Sequence, residues 1–155
     1  RSKILIQKKA MQPDTIFLTK EDENEIVEAI RLAEKNTSGE IRVHIEKTTS
    51  KVPFDRALEV FYELKMNETQ LQNGVLIYLA SADKQFVICG DKGINEVVAT
   101  DFWDSTKEIM AAQFKQGHFK QGLIDGIAQA GEQLKTYFPW QTDDTNELSN
   151  EISKG

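Results

Sequence analysis

One cysteine, Cys89, is all that the 155 residues contain. No disulfide can form within the chain, and thiol content leaves the redox compartment open. Long apolar runs are missing as well. The longest, Val75–Ala80 ("VLIYLA"), falls far short of the ~20 residues a membrane-spanning helix needs, so direct membrane insertion is not expected. Basic charge is in the minority, Lys+Arg 19 against Asp+Glu 25 for a net charge of −6. Nucleic acid and anionic lipid both select a basic footprint, which argues against either as the main partner. The opening "RSKILIQKKA" has neither the apolar core nor the small-residue cleavage site of a secretory signal. The expected compartment is the cytoplasm, or the periplasm or membrane surface for a chain whose leader was trimmed, since the sequence begins at Arg1.

What remains is ordinary globular composition, 39% hydrophobic and 28% charged, in a length that suits one domain with a substantial core. Residues 1–18 read as a weakly patterned lead with "KILI" as a short strand, residues 19–139 as the domain, and residues 140–155 as a polar, disordered tail. Within the domain, Thr19-Lys20-Glu21-Asp22 matches a capping box, followed by a helical stripe of Ile26, Ile30 and Ala33 that "NTSG" ends. "EIRVHIEK" alternates as a half-buried strand, with His44 on its polar face between Arg42 and Glu46. Pro53 opens a second helix with Phe54, Leu58, Phe61 and Leu64 as its stripe.

"VLIYLA" is apolar on both faces and reads as a covered central strand. The four-residue "SADK" makes Gln85–Cys89 its antiparallel hairpin partner. Ile94, Val97 and Val98 then suggest a helical turn. Thr100 is the expected N-cap of a helix carrying Phe102, Thr106, Ile109, Met110 and Phe114. A last helix runs from about Phe119 to Tyr137, ended by Pro139. Its Gly122 and Gly126 share a face, and glycine costs helix stability by about 1 kcal/mol each relative to alanine, which implies close packing there. A monomeric α/β domain with a mixed sheet follows.

In this order "SGEIRVHIE" (Ser38–Glu46), "NGVLIYLASADKQFVICGDKG" (Asn73–Gly93) and "FKQGHFKQGLIDGI" (Phe114–Ile127) resemble the TPM-domain family, most closely its short, stand-alone bacterial members. The resemblance implies a three-layer α/β/α sandwich, an acidic metal site near the loops at the ends of the central strands, and the acid phosphatase activity of some plant members. It also implies an envelope or membrane-protein partner. Family members often carry an acidic residue just before the Asn-Gly; here that position is Gln72.

Asp91 is the best-placed carboxylate, on the loop that follows a strand. Asn73 begins the neighbouring strand of the hairpin, which brings the two close. Hard cations such as calcium or magnesium take several oxygens from such loops, and Asp101 and Asp104, three apart and so on one helical face, with Glu96, are the further donors considered. The plainer alternative has Asp91 tightening a turn and Asp101 neutralising a helix N-terminus. Sharper chemistries fail on spacing. "GDKG" lacks the Walker pattern G-x-x-x-x-G-K-[ST], and it follows a strand rather than joining two helices as a KH loop does. The phosphate-clamping arginine a cysteine phosphatase needs six residues after Cys89 is Asn95. No G-x-S-x-G elbow exists, and two histidines, His44 and His118, are too few for a triad. Cys89 reads as a small core residue, His118 as a cap or loop residue, and Trp103 and Trp140 as surface-patch candidates. The expected function is an accessory or interaction module linked to an envelope process. The alternative is a metal-assisted acid phosphatase using calcium or magnesium.

Overall fold

Thr19 sets the first helix: its hydroxyl accepts the Asp22 amide at 3.0 Å, and the Asp22 carboxylate accepts the Thr19 amide at 3.1 Å. This is the capping box read from the sequence. The computed structural model describes residues 18–141 and 146–155; the strand expected in "KILI" lies outside them. The helix, α1 (Lys20–Ala33), is followed by β1 (Glu40–Glu46), α2 (Pro53–Glu63), a 3-10 turn (Met66–Glu68), β2 (Gly74–Ala80) and β3 (Gln85–Gly90). Three helices come next, α3 (Lys92–Asn95), α4 (Asp104–Lys115) and α5 (Phe119–Leu134), and then β4 (Ser153–Lys154).

The sheet order is β3-β2-β1-β4. β1 and β2 run parallel, with Glu40 opposite Gly74 and Glu46 opposite Ala80. β2 and β3 form the antiparallel hairpin, from Val75 opposite Gly90 to Ala80 opposite Gln85. β2 is buried along its whole length. Val75, Ile77 and Leu79 join Ile26, Ile30, Met110, Leu123 and Ile127 in one cluster. Leu76, Tyr78 and Ala80 join Ala57, Val60 and Phe61 in another. Helices α1, α4 and α5 therefore cover one face and α2 the other, giving a three-layer α/β/α sandwich with a mixed sheet. The expected glycine packing is present: a Cβ on Gly122 would lie 2.6 Å from Phe114 Cδ1, and one on Gly126 2.7 Å from Met110 Cγ.

Four local readings change. α2 buries Ala57, Val60 and Phe61 while Phe54 is 50% exposed; the small Ala57 lets the helix approach, and the rotation lets Arg56 reach Glu46. α4 starts at Asp104, because residues 100–103 form a turn closed by the Asp104 amide on Asp101 O (3.0 Å). β1 is covered on both faces: His44 is 4% exposed, stacked on Tyr78 and bonded to Ser153 Oγ and Glu46 Oε1. The residues that cover it belong to the segment expected to be disordered. Ser153 and Lys154 pair with His44 and Ile45, Ile152 and Leu148 pack against the two clusters, and the Glu40 carboxylate accepts the amides of Glu147 (2.8 Å) and Leu148 (2.6 Å).

Candidate functional site at the loop end of the sheet

β1 and β2 begin where β3 ends, so one end of the sheet collects the loops before Glu40, before Gly74 and after Gly90. The loops at 69–73 and 91–95 are locked together. The Asp91 amide donates to Gly74 O (2.9 Å) and the Gly93 amide to Gln72 O (2.9 Å). A Cβ on Gly93 would lie 2.5 Å from Gln72 O, so only glycine fits at that crossing. Gln72 itself takes a positive φ of 51°, a left-handed conformation uncommon for a non-glycine residue.

Asp91 serves two ends. Its Oδ1 accepts the Lys92 amide at 2.7 Å as the N-cap of α3. Its Oδ2 is buried without a hydrogen-bond partner, in a residue 8% exposed. Leaving a buried acceptor unpaired costs about 1–3 kcal/mol, more when it is charged. Such an atom calls for an ion or an ordered water. Asn73 is 1% exposed. Its side-chain amide nitrogen donates to Ser38 O (3.1 Å), its carbonyl accepts the Glu40 amide (3.2 Å), and its own amide donates to Thr69 Oγ1 (3.3 Å). It ties the starts of β1 and β2 together, with its side-chain amide nitrogen committed to Ser38 O.

Asp101 lies in the turn before α4 and Asp104 opens that helix, so the two do not share a helical face; both are exposed, and Asp104 lies 3.9 Å from Lys107. Trp103, between them, borders the Asp91 loop: a Cβ on Gly90 would lie 3.5 Å from its Nε1, and that Nε1 is also buried without a partner. Among the described residues no three His, Cys, Asp or Glu side chains converge as a metal cluster. The four candidates share an end of the fold without forming one ligand shell. Glu96 is exposed on the turn after α3. Cys89 is buried, and burial together with the nearby Asp91 charge pushes its thiol up to about 11, so it stays protonated as a core residue.

Sequence reasoning missed a second feature of this end, a cleft of about 180 Å³ lined by Glu34, Thr37, Ser38, Gly39, Glu40, Trp140 and Asn146. Burial raises Glu34 to about 7, against the pull of the Ile41 amide on its Oε2, and Glu40 adds repulsion. Burial likewise raises Glu40 to about 7, offset by the Glu147 and Leu148 amides and reinforced by the Glu147 charge. Both carboxyls titrate near neutrality, where a group can hold or release a proton. No sequence signal showed that residues 146–148 would close over Glu40.

A family model described as the TPM domain matches residues 13–133. The chain belongs to the TPM-domain family. Among solved structures, this TPM domain is similar to the BA42 protein of the psychrophilic bacterium Bizionia argentinensis. The two are 65% identical, with 90% of this chain and 96% of that one covered and a TM-score of 0.86. The N-terminal domain of the cg2496 protein from Corynebacterium glutamicum shares the fold at 12% identity, with 89% and 81% covered and a TM-score of 0.61. No curated protein matches the sequence. Among the described residues no helix is long and apolar enough to cross a membrane.

Proposed function

We propose that this TPM domain is an accessory binding module of a bacterial envelope process, and that its working end takes a hard divalent cation at the Asp91 loop. The observation that carries the cation is Asp91 Oδ2, a buried carboxylate oxygen with no partner, on a loop pinned to Gln72 and Gly74. Calcium and magnesium accept oxygen ligands from loops, with backbone carbonyls and waters completing the shell. Asp91 would supply the charge and Asn73 a neutral oxygen, with Asp101 and Asp104 as outer neighbours. A bound cation would supply positive charge at this end and fix the paired loops for a partner. The envelope link rests on the family resemblance, whose members accompany membrane proteins.

The module reading rests on what the polar side chains of this end do. Asp91 Oδ1 caps a helix, the Asn73 amide ties two strands, and Glu34 and Glu40 hold backbone amides. Each is committed to structure, which suits binding better than turnover. The test compares phosphomonoester hydrolysis by the wild type and by Asp91→Asn, which keeps the N-cap, with calcium or magnesium present. Equal background rates support the module. Hydrolysis by the wild type well above the variant would establish the metal-assisted phosphatase instead.

A further inference from the structure

The opposite end of the sheet carries a different pocket. A groove of about 180 Å³ is lined by Leu79, Phe86, Ala111, Phe114 and Phe119, with Lys84 and Lys115 on its rim. It lies where β2 ends and β3 begins, roughly 20 Å along the strands from Asp91 at ~3.3 Å per residue. Phe86 meets Phe114 edge-on at 5.0 Å, and Phe114 stacks on Phe119 at 5.2 Å. Gly122 fixes this wall, because the Phe114 ring occupies the space its Cβ would need. The pocket is therefore built before any ligand arrives.

The rim is selective in charge. In an acidic chain, two lysines, Lys84 and Lys115, stand exposed at the mouth of this one apolar groove. The nearest carboxylate in sequence, Asp83, is turned away to Thr48 Oγ1 and the Thr49 amide. Lys84 also occupies the left-handed corner of the hairpin turn, φ 56°, a position that favours glycine or asparagine.

We propose that this groove binds a small amphipathic carboxylate, its apolar body against Phe86, Phe114 and Phe119 and its charge between Lys84 and Lys115. At about 180 Å³ the groove is close in size to the ~150 Å³ apolar cavity that holds benzene, which suits a phenyl ring or a hexanoate tail. The site is independent of the cation site at the other end.

The test is an NMR titration of the full chain with hexanoate, 1-hexanol and hexylammonium. Hexanoate is expected to shift the ring signals of Phe86, Phe114 and Phe119 saturably, with a Kd roughly millimolar for a ligand of about eight heavy atoms. Hexanol should bind several-fold more weakly and hexylammonium more weakly still. The variant K84N/K115Q changes two exposed residues, and asparagine tolerates the left-handed corner, so the fold survives. It should weaken hexanoate about fivefold to tenfold and leave hexanol unchanged. Equal binding of hexanol and hexanoate, an unchanged hexanoate Kd in the variant, or no saturable shift would overturn the proposal. Ring shifts that follow protein concentration without ligand would place a second copy in the groove and overturn it as well.

Discussion

Replacing Glu46 by glutamine removes the charge at the centre of the polar network between β1, β2 and α2. Its side chain is 7% exposed. Arg56 donates to both its oxygens, Nε at 2.9 Å and Nη2 at 3.0 Å, with the Tyr78 hydroxyl and His44 Nε2 as further partners. Burial would raise the Glu46 carboxyl, but these hydrogen bonds and the Arg56 charge outweigh it and hold the group at about 2 against an ordinary 4.5. The difference, 4.5 − 2 = 2.5 pH units at ~1.4 kcal/mol each, comes to ~3.5 kcal/mol. That is an upper bound, because Arg56 is 22% exposed and solvent screens part of the pair. Breaking a buried pair by removing one partner costs about 3–5 kcal/mol, so a loss of about 3 kcal/mol is expected for Glu46→Gln at neutral pH. A group with a depressed folded pKa stabilises fully above its unfolded pKa and loses that contribution as pH falls through the folded one. The gap between wild type and variant should therefore hold above pH 4.5 and close toward pH 2. Urea unfolding followed by circular dichroism across that range reads it directly. A gap below about 1 kcal/mol at pH 7, the size of an exposed pair, or one that persists unchanged to pH 2, would refute the reasoning.

Glu34 and Glu40 should behave in the opposite sense. Both are raised to about 7 from 4.5, so the stability they contribute is present below pH 4.5 and is lost as pH rises through about 7. Carboxyl-carbon NMR titrations should show two midpoints near 7, and midpoints near 4.5 would contradict the burial argument. Gly93→Ala should destabilise by about 1–3 kcal/mol through overpacking against the Gln72 carbonyl; an unfolding midpoint equal to the wild type's would show that the loops give way. Thr19→Ala should cost about 1 kcal/mol by removing the α1 cap, read by the same unfolding measurement.

The middle layer was legible because its signals are local and redundant. "VLIYLA" is apolar on both faces and "SADK" spaces a hairpin, so β2 and β3 follow from residues within twenty positions of one another. Thr19 and Asp22 carry α1 in four residues. Misreadings arose where distant residues decide. His44 looks solvated in its strand until Ser153 pairs with it from 109 positions away. Phe54 looks like core until Arg56, reaching for Glu46, turns α2 about its axis. The Asp101–Asp104 face assumed a helix that the turn at 100–103 delays. The loop "GDKG" was read as a turn with one interesting carboxylate, and its parts now have separate roles. Asp91 caps α3 and leaves one oxygen unpaired, while Gly93 permits the crossing with Gln72. The Glu34–Glu40 cleft had no legible signal, since its depth comes from Trp140 and Asn146 closing over a strand start.

Calorimetric titration of calcium into the wild type and into Asp91→Asn tests the central claim most directly. The variant keeps the α3 cap and removes only the charge, so folding is not at issue. Saturable single-site binding by the wild type, weakened at least tenfold in the variant, is the predicted result, since about 1.4 kcal/mol corresponds to a factor of ten. Identical titrations of the two proteins, or no heat from either, would contradict it.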